Sequence, residues 1–344
     1  MADLNRREWA RAAASGVAAM ALADVTPAFA QVPATAGGAR DYRYVHLDVF
    51  TDQRLAGNPL LVYVNPEGLD VDTMTRITLE SNYSENTFVF APDAPGTDFR
   101  VRIFTREGEV PIAGHPTVGT AFALAHVGRL KAGQMKTVFA LGVGPTPIDL
   151  EWNGSQLAFA WMTQLRPTFG KAIADAAGVA AVIGLHAGDI VTSRGPAAQD
   201  VSTGSNWIIV PLATRKAVDA AVLDGGRMDA LRTANGLTGR GVYVFTTQKA
   251  ADDATSYSRL LGGPADIEDP ATGSAAGPAG CFMLKYGFVP PDRAGSMINL
   301  QGMLVKRPSR ISVNVATSSG DIVSVKVGGS SVVIAEGTMF GART

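Results

Sequence analysis

Thiols are almost absent from this chain: its 344 residues include one cysteine, Cys281. A single cysteine forms no internal disulfide, builds no multi-thiolate zinc site and excludes a mechanism that uses two thiols in one chain. In its apolar surroundings Cys281 reads as a small buried hydrophobe. Histidine is also scarce, with four residues. There is no HExxH helix and no clustered His/Asp spacing, so no metal site is expected. The chain has no G-x-x-x-x-G-K-[ST], no strand-linked G-x-G-x-x-G and no G-x-S-x-G elbow, which removes the usual devices of nucleotide enzymes and serine hydrolases. Charged residues make up 18% of the chain, the net charge is −1, and no block of one sign stands out. That argues against nucleic acid and against an electrostatic membrane patch. No run reaches ~18 apolar residues, so no transmembrane helix is predicted.

What is present is a core-forming composition. Hydrophobic residues are 46%, and 38 glycines and 19 prolines imply many turns, which fits a strand-rich fold. At roughly 150 residues per domain the length corresponds to about two domains. Residues 1–30 read as a secretory signal: Arg6-Arg7 in the charged start, an Ala-rich stretch from Ala12 to Ala23, then Ala28-Phe29-Ala30 as an A-x-A cleavage signal. Asn5-Arg6-Arg7-Glu8-Trp9 is similar to a twin-arginine export signal, so an exported, periplasmic protein with no membrane contact after cleavage is expected. Residues 31–41 read as a flexible lead-in.

Two regions, 42–152 and 153–344, follow one plan. The first has strand signals at Tyr42–Phe50, Leu60–Val64, Thr87–Phe90 and Phe99–Phe104, with a short helix from Asp72, its cap, to Ser81. Ala113-Gly114-His115-Pro116 then leads into an apolar helix, with Pro116 at the first helical position and Gly128 just past the end. A helix apolar nearly all round is buried. The second region has strand signals at Leu157–Trp161, Trp207–Val210 and Gly241–Thr246. Glu268-Asp269-Pro270-Ala271-Thr272-Gly273-Ser274-Ala275-Ala276 opens a second apolar helix that closes near Gly287, and strands at 311–315, 322–327 and 331–335 follow. The spacing of about 155 residues between the two helices points to a pseudo-twofold pair rather than a solenoid.

Small residues at the start of a buried helix have two readings. They permit close packing, or they let a ligand approach the unpaired N–H groups and the positive end of the helix dipole. Gly114, Gly119, Gly273 and Ser274 stand at such positions. Glu85, in Ser84-Glu85-Asn86-Thr87, is either a solvated loop carboxylate or one held in a cleft with a raised pKa, able to give and take a proton. His115, at the mouth of the first helix, is either structural or a neutral hydrogen-bonding or proton-relaying group. Asp269 is either a helix cap or a carboxylate aimed at a ligand's amino or hydroxyl group.

Four blocks together resemble the PhzF-like proteins of phenazine biosynthesis, which share the diaminopimelate epimerase fold. They are Ala56-Gly57-Asn58-Pro59; Ser84-Glu85-Asn86-Thr87-Phe88-Val89; Phe104-Thr105 with Glu109-Val110-Pro111-Ile112-Ala113-Gly114-His115-Pro116-Thr117-Val118-Gly119; and Ile267-Glu268-Asp269-Pro270-Ala271-Thr272-Gly273-Ser274-Ala275. Lesser matches are Ser202-Thr203-Gly204 and Gln301-Gly302 with Arg307-Pro308-Ser309. The resemblance implies an α+β fold of two pseudo-symmetric domains, each a curled, mainly antiparallel sheet around a central buried helix, with the terminal strand able to return to the first domain. It implies a site in the cleft between them and a cofactor-independent isomerase that moves a carbon-bound proton on a small carboxylate-bearing substrate. In that reading Glu85, His115 and Asp269 are catalytic, and Ser84, Gly114, Thr272, Gly273, Ser274 and Ala275 bind substrate. It also implies a homodimer. Arg106, Ile112 and Asn86 depart from the residues common in the family and neighbour the cleft. An exported binding protein of the same fold without catalysis, and an exported structural protein, are the competing readings.

Overall fold

The computed structural model describes residues 41–262 and 268–340. The predicted signal at 1–30, lead-in residues 31–40 and Ile267 of the fourth block lie outside the described residues. β1 (Tyr42–Val49) and β2 (Asn58–Tyr63) precede α1 (Val71–Ser81). β3 (Glu85–Phe90), β4 (Phe99–Thr105) and β5 (Gly108–Val110) lead into α2 (Gly114–His126), and β6 (Lys136–Leu141), β7 (Gly144–Asn153) and β8 (Gln156–Gln164) follow. β9 (Thr168–Ile173) and α3 (Ala176–Val182) precede β10 (Ala198–Ser202) and β11 (Asn206–Pro211). α4 (Arg215–Ala220) and α5 (Gly225–Asn235) precede β12 (Val242–Thr246) and β13 (Ser256–Leu261). α6 (Gly273–Lys285) leads to β14 (Met297–Gln301), β15 (Ser309–Ser318), β16 (Asp321–Gly329) and β17 (Ser331–Met339).

Hydrogen-bonded neighbours trace one path: β17–β1–β2–β3–β4–β6–β7–β8, then across to β16–β15–β14–β13–β12–β11–β10–β9, with β5 on β4. Both runs have the same sequence of strand senses. Counted from β17 or from β9, the third and fifth pairings are parallel and the rest antiparallel. The helices keep step. A parallel pair needs a crossover connection, and α1 and α2 supply it in the first run as α4–α5 and α6 do in the second. The duplication is therefore written in the hydrogen bonding, although the two halves share little sequence.

Each run curls around its second crossover helix. Eleven of the thirteen residues of α2 are buried, as are ten of thirteen in α6. Strand alternation sorts the side chains into layers. Leu60 and Val62 of β2 face the α2 core, while Leu61 and Tyr63 lie under α1 with Met74, Phe88 and Phe104. Ile209 of β11 and Tyr243 of β12 face inward, while Ile208, Val210 and Val244 lie under α3 to α5.

Some boundaries differ from the sequence expectation. β3 begins at Glu85, which pairs with Thr105 in the ladder, two residues before Thr87. α1 is capped by Asp70, which accepts from the Thr73 N–H, rather than by Asp72. α2 begins at Gly114, so Pro116 sits third; its missing N–H costs nothing in a first turn. Pro145 and Pro147 lie in β7, a strand the sequence reading did not pick out, where only β6 pairs with it, an edge that tolerates proline. Cys281 is fully buried, and burial pushes its thiol up to about 12, which leaves it inert.

One ion pair ties the halves together near the site. Asp48 on β1 is 2% exposed and pairs with Arg307 from the β14–β15 loop. Arg307 also donates to the carbonyls of Gly57 and Ala56, both at 2.8 Å, which fixes the turn before Asn58. Removing one partner leaves a buried charge uncompensated. Arg307→Met is expected to destabilise the protein by about 3 kcal/mol, read as a lower urea midpoint; an unchanged midpoint would show that the clamp contributes nothing.

Candidate active site

The two helix starts meet. A Cβ placed on Gly114 would lie 2.6 Å from Gly273 Cα and 2.9 Å from the Ser274 nitrogen, so only glycine allows this approach. Neither Ala113 nor Thr272, the N-cap residues, caps its helix with a side chain. The first N–H groups of both helices therefore converge without intrahelical partners, and the two dipoles add positive potential there.

Beside this junction lies a cleft of about 400 Å³, lined by Ser84, Glu85, Thr105, Arg106, Glu107, Ala113, Trp207, Arg240, Asp269, Thr272 and Ser274 among others. Of the residues singled out from sequence, Ser84, Glu85, Asp269, Thr272 and Ser274 line it directly. Gly114 and Gly273 touch one another, next to the lining residues Ala113, Thr272 and Ser274. Ala275 is fully buried, and its N–H is taken by the Thr272 carbonyl, so it offers substrate no contact.

Asn58 is the hub, and sequence reasoning gave it no role. Its Nδ2 lies 2.6 Å from Asp269 Oδ1, 3.0 Å from the Ala271 carbonyl and 3.1 Å from His115 Nδ1. Its Oδ1 accepts from Ser84 Oγ at 3.3 Å. The opposite amide orientation would set oxygen against a carboxylate and a carbonyl, so the network selects this one. An amide nitrogen only donates. Its two hydrogens are shared among these three acceptors, and because the amide nitrogen offers no lone pair the contact favours His115 Nδ1 as an acceptor, with the ring proton on Nε2. Burial lowers the His115 pKa to about 3, so the ring is neutral.

His115 Nε2 faces Glu85 Oε2 at 3.7 Å, beyond hydrogen-bond length. Both atoms are buried, and neither has a hydrogen-bond partner among the described residues. Burial, reinforced by the charge of Asp269, pushes the Glu85 carboxyl up to about 8. Asp269 is raised to about 6, again chiefly by burial, opposed by its hydrogen bonds from Thr272 and Asn58. Asp269 thus does not cap α6; it accepts from the side chain of the cap residue, Thr272, at 2.6 Å. Gln301, fully buried, secures this loop: it donates to the Asp269 carbonyl at 2.8 Å and accepts from the Thr272 N–H at 3.1 Å. Both residues stand in blocks of the family resemblance, but the physical signal is a neutral amide within an apolar strand, which must be paired when buried.

These shifts carry a stability consequence. The folded protein holds the Glu85 proton to about pH 8, whereas the unfolded chain releases it near the ordinary 4.5. Between those values the native state binds the extra proton, so stability falls as pH rises. Glu85→Gln removes this loss. Its Tm is expected to exceed that of the native protein by several degrees at pH 8.5 and to match it at pH 4.5; a Tm difference independent of pH would contradict a buried carboxyl.

Comparison with known proteins places the chain in a family. Residues 47–337 match the family model described as phenazine biosynthesis-like protein. An uncharacterised isomerase of Mesorhizobium japonicum is 34% identical over 304 residues, covering 86% of this chain and 98% of that protein. The trans-2,3-dihydro-3-hydroxyanthranilate isomerase of Pseudomonas aeruginosa is 29% identical over 300 residues, covering 87% and 99%. The crystal structure of a PhzF-family protein of Bacillus anthracis matches with a TM-score of 0.75 at 25% identity, covering 87% of this chain and 99% of that one. The chain belongs to the phenazine biosynthesis-like (PhzF) family and is an isomerase-type enzyme.

Proposed function

We propose that the protein is a cofactor-independent isomerase that moves a carbon-bound proton on a small carboxylate-bearing substrate, with Glu85 as the proton carrier. One observation carries the reading: Glu85 Oε2 and His115 Nε2 face each other across 3.7 Å, buried and without a hydrogen-bond partner among the described residues, beside two uncapped helix starts. The N–H groups of Gly114, His115, Gly273 and Ser274 receive the substrate carboxylate, since a helix start is a ready anion site. Glu85 in its ionised form takes the proton from carbon. The negative charge that develops on the substrate is met by the neutral His115 Nε2–H donor. Asp269, ionised above about pH 6, accepts from an amino or hydroxyl group of the substrate. Glu85 then returns its proton at a second carbon. Bond count and charge balance without an external acid, reductant or metal. The relative that acts on trans-2,3-dihydro-3-hydroxyanthranilate carries a carboxylate, an amine and a hydroxyl on its substrate, the three groups this cleft is built to hold.

A carboxyl with a pKa near the working pH suits both halves of the transfer. Because the ionised form starts the cycle, kcat/KM is expected to rise with pH and level off above about 8. Turnover in heavy water is expected to place deuterium on carbon. Glu85→Gln is expected to lower kcat by ~10²–10⁴ and to abolish deuterium uptake. A variant that still exchanges at the native rate would remove Glu85 from the mechanism, and ligand binding with no exchange in the native protein would favour a binding protein of the same fold.

A further inference from the structure

We propose that the cleft holds its substrate at two anionic points: one carboxylate at the helix starts, and a second oxyanion group between Arg106 and Arg240, so that the substrate class is a small dianion. This rests on the preceding reading and narrows it.

Arg106 and Arg240 line the cleft with Glu85, Asp269 and Ser274. They come from different halves: Arg106 follows β4, and Arg240 stands two residues before β12. Neither guanidinium has an ion-pair or hydrogen-bond partner among the described residues. The better-buried arginines behave otherwise, since Arg102, Arg215, Arg259 and Arg307 each pair with a carboxylate. The backbone that carries Arg240 is held on both sides: its N–H donates to the Asn206 carbonyl at 2.9 Å, and its carbonyl accepts from Arg232 at 3.1 Å. Two cations are thus presented to the cleft, at least one of them from a rigid base, with no carboxylate paired to either guanidinium among the described residues. Glu107, exposed at the rim, lines the cleft with them, as do Glu85, which keeps its proton to about pH 8, and Asp269, which is already held by Thr272 and Asn58.

A second, independent observation lies on the same wall. Trp207 on β11 lines the cleft and is 9% exposed, yet its indole N–H has no partner among the described residues. Its ring packs against Gly241, the residue after Arg240, where an added Cβ would come 3.2 Å from Trp207 Cζ3. A buried donor without an acceptor is costly, and an oxyanion received by the neighbouring Arg240 supplies one. The duplicated topology puts the arrangement in register. β3 opens with the acid Glu85 in the first half, and the corresponding strand, β12, is preceded by the cation Arg240. Arg240 is close enough for its charge to act on the Glu85 carboxyl, so an anion bound there sits within reach of the proton carrier. A cleft of about 400 Å³ accommodates a small molecule with both groups.

Calorimetric titration of the full-length protein tests this with the dicarboxylates succinate, glutarate and adipate, the matched monoacids butyrate, valerate and caproate, and 3-phosphonopropionate. At least one diacid is expected to bind about 10-fold or more tightly than its monoacid, as expected for an added charge-assisted contact. The Arg106→Gln/Arg240→Gln double variant is expected to lose that preference while its monoacid affinity and Tm stay within twofold and a degree or so of native. 3-Phosphonopropionate binding more tightly than glutarate identifies the second group as a phosphate; the reverse identifies a carboxylate. Equal affinity for diacids and monoacids, a preference retained in the double variant, or no diacid binding overturns the inference. Repeating the titrations with Glu85→Gln separates the two readings. A preference that persists there while the native protein shows no deuterium exchange leaves the dianion site and removes the isomerase; exchange without a preference does the reverse.

Discussion

The constraint on which the site depends is the contact between Gly114 and Gly273. Two helix N-termini, each carrying about half a positive charge, repel one another, and nothing local favours bringing them together. They are held because α2 and α6 are buried almost along their whole length, each enclosed by its own curled run of strands, and the runs are joined through β8 and β16. The core thus supports an electrostatically unfavourable junction, which a bound anion would relieve. Any residue larger than glycine at position 114 would collide with the backbone of the facing helix, so the closeness of the approach rests on one missing methyl group.

The same burial that forces the helix starts together tunes the titrating groups. Glu85 and Asp269 are both raised because water is excluded, and the charge of one opposes ionisation of the other. His115 is driven the opposite way and remains a neutral donor. Asn58 joins the three. It comes from the first strand hairpin and reaches across to a loop of the second half, and its position depends on Arg307, which returns from the second half to hold the turn before it. Gln301 does the corresponding work under Thr272, continued inward by Tyr243, Ser258 and Asn299. The hydrogen-bonded amides of Asn58 and Gln301 fix the geometry around Glu85 and His115, whose facing atoms are left without partners among the described residues.

Glu85, the helix starts and the carboxylate before the second helix were all legible in the chain as patterns, because each is a local matter: small residues before an apolar run, an acid at the edge of a strand. Their alternatives were not resolved locally. Whether Glu85 was solvated or enclosed, and whether Asp269 was a cap or a site residue, depended on what packs above them. Elements without a strong period escaped notice, among them α3, α4 and α5, and β7 with its two prolines. The periodicity that predicts an element weakens when the element is short or lies at an edge, where the neighbouring strand decides the conformation.

What the sequence by itself determined is the class of fold, the two buried helices and the family, since apolar periodicity, glycine placement and the ordered motif blocks are properties of the chain read along its length. Tertiary structure alone decided that Gly114 touches Gly273, that Asn58 binds Asp269 some two hundred residues away, and that Arg106 and Arg240 share one cleft. Those facts depend on which surfaces meet when the sheets curl, and distance along a chain carries no information about distance through a core.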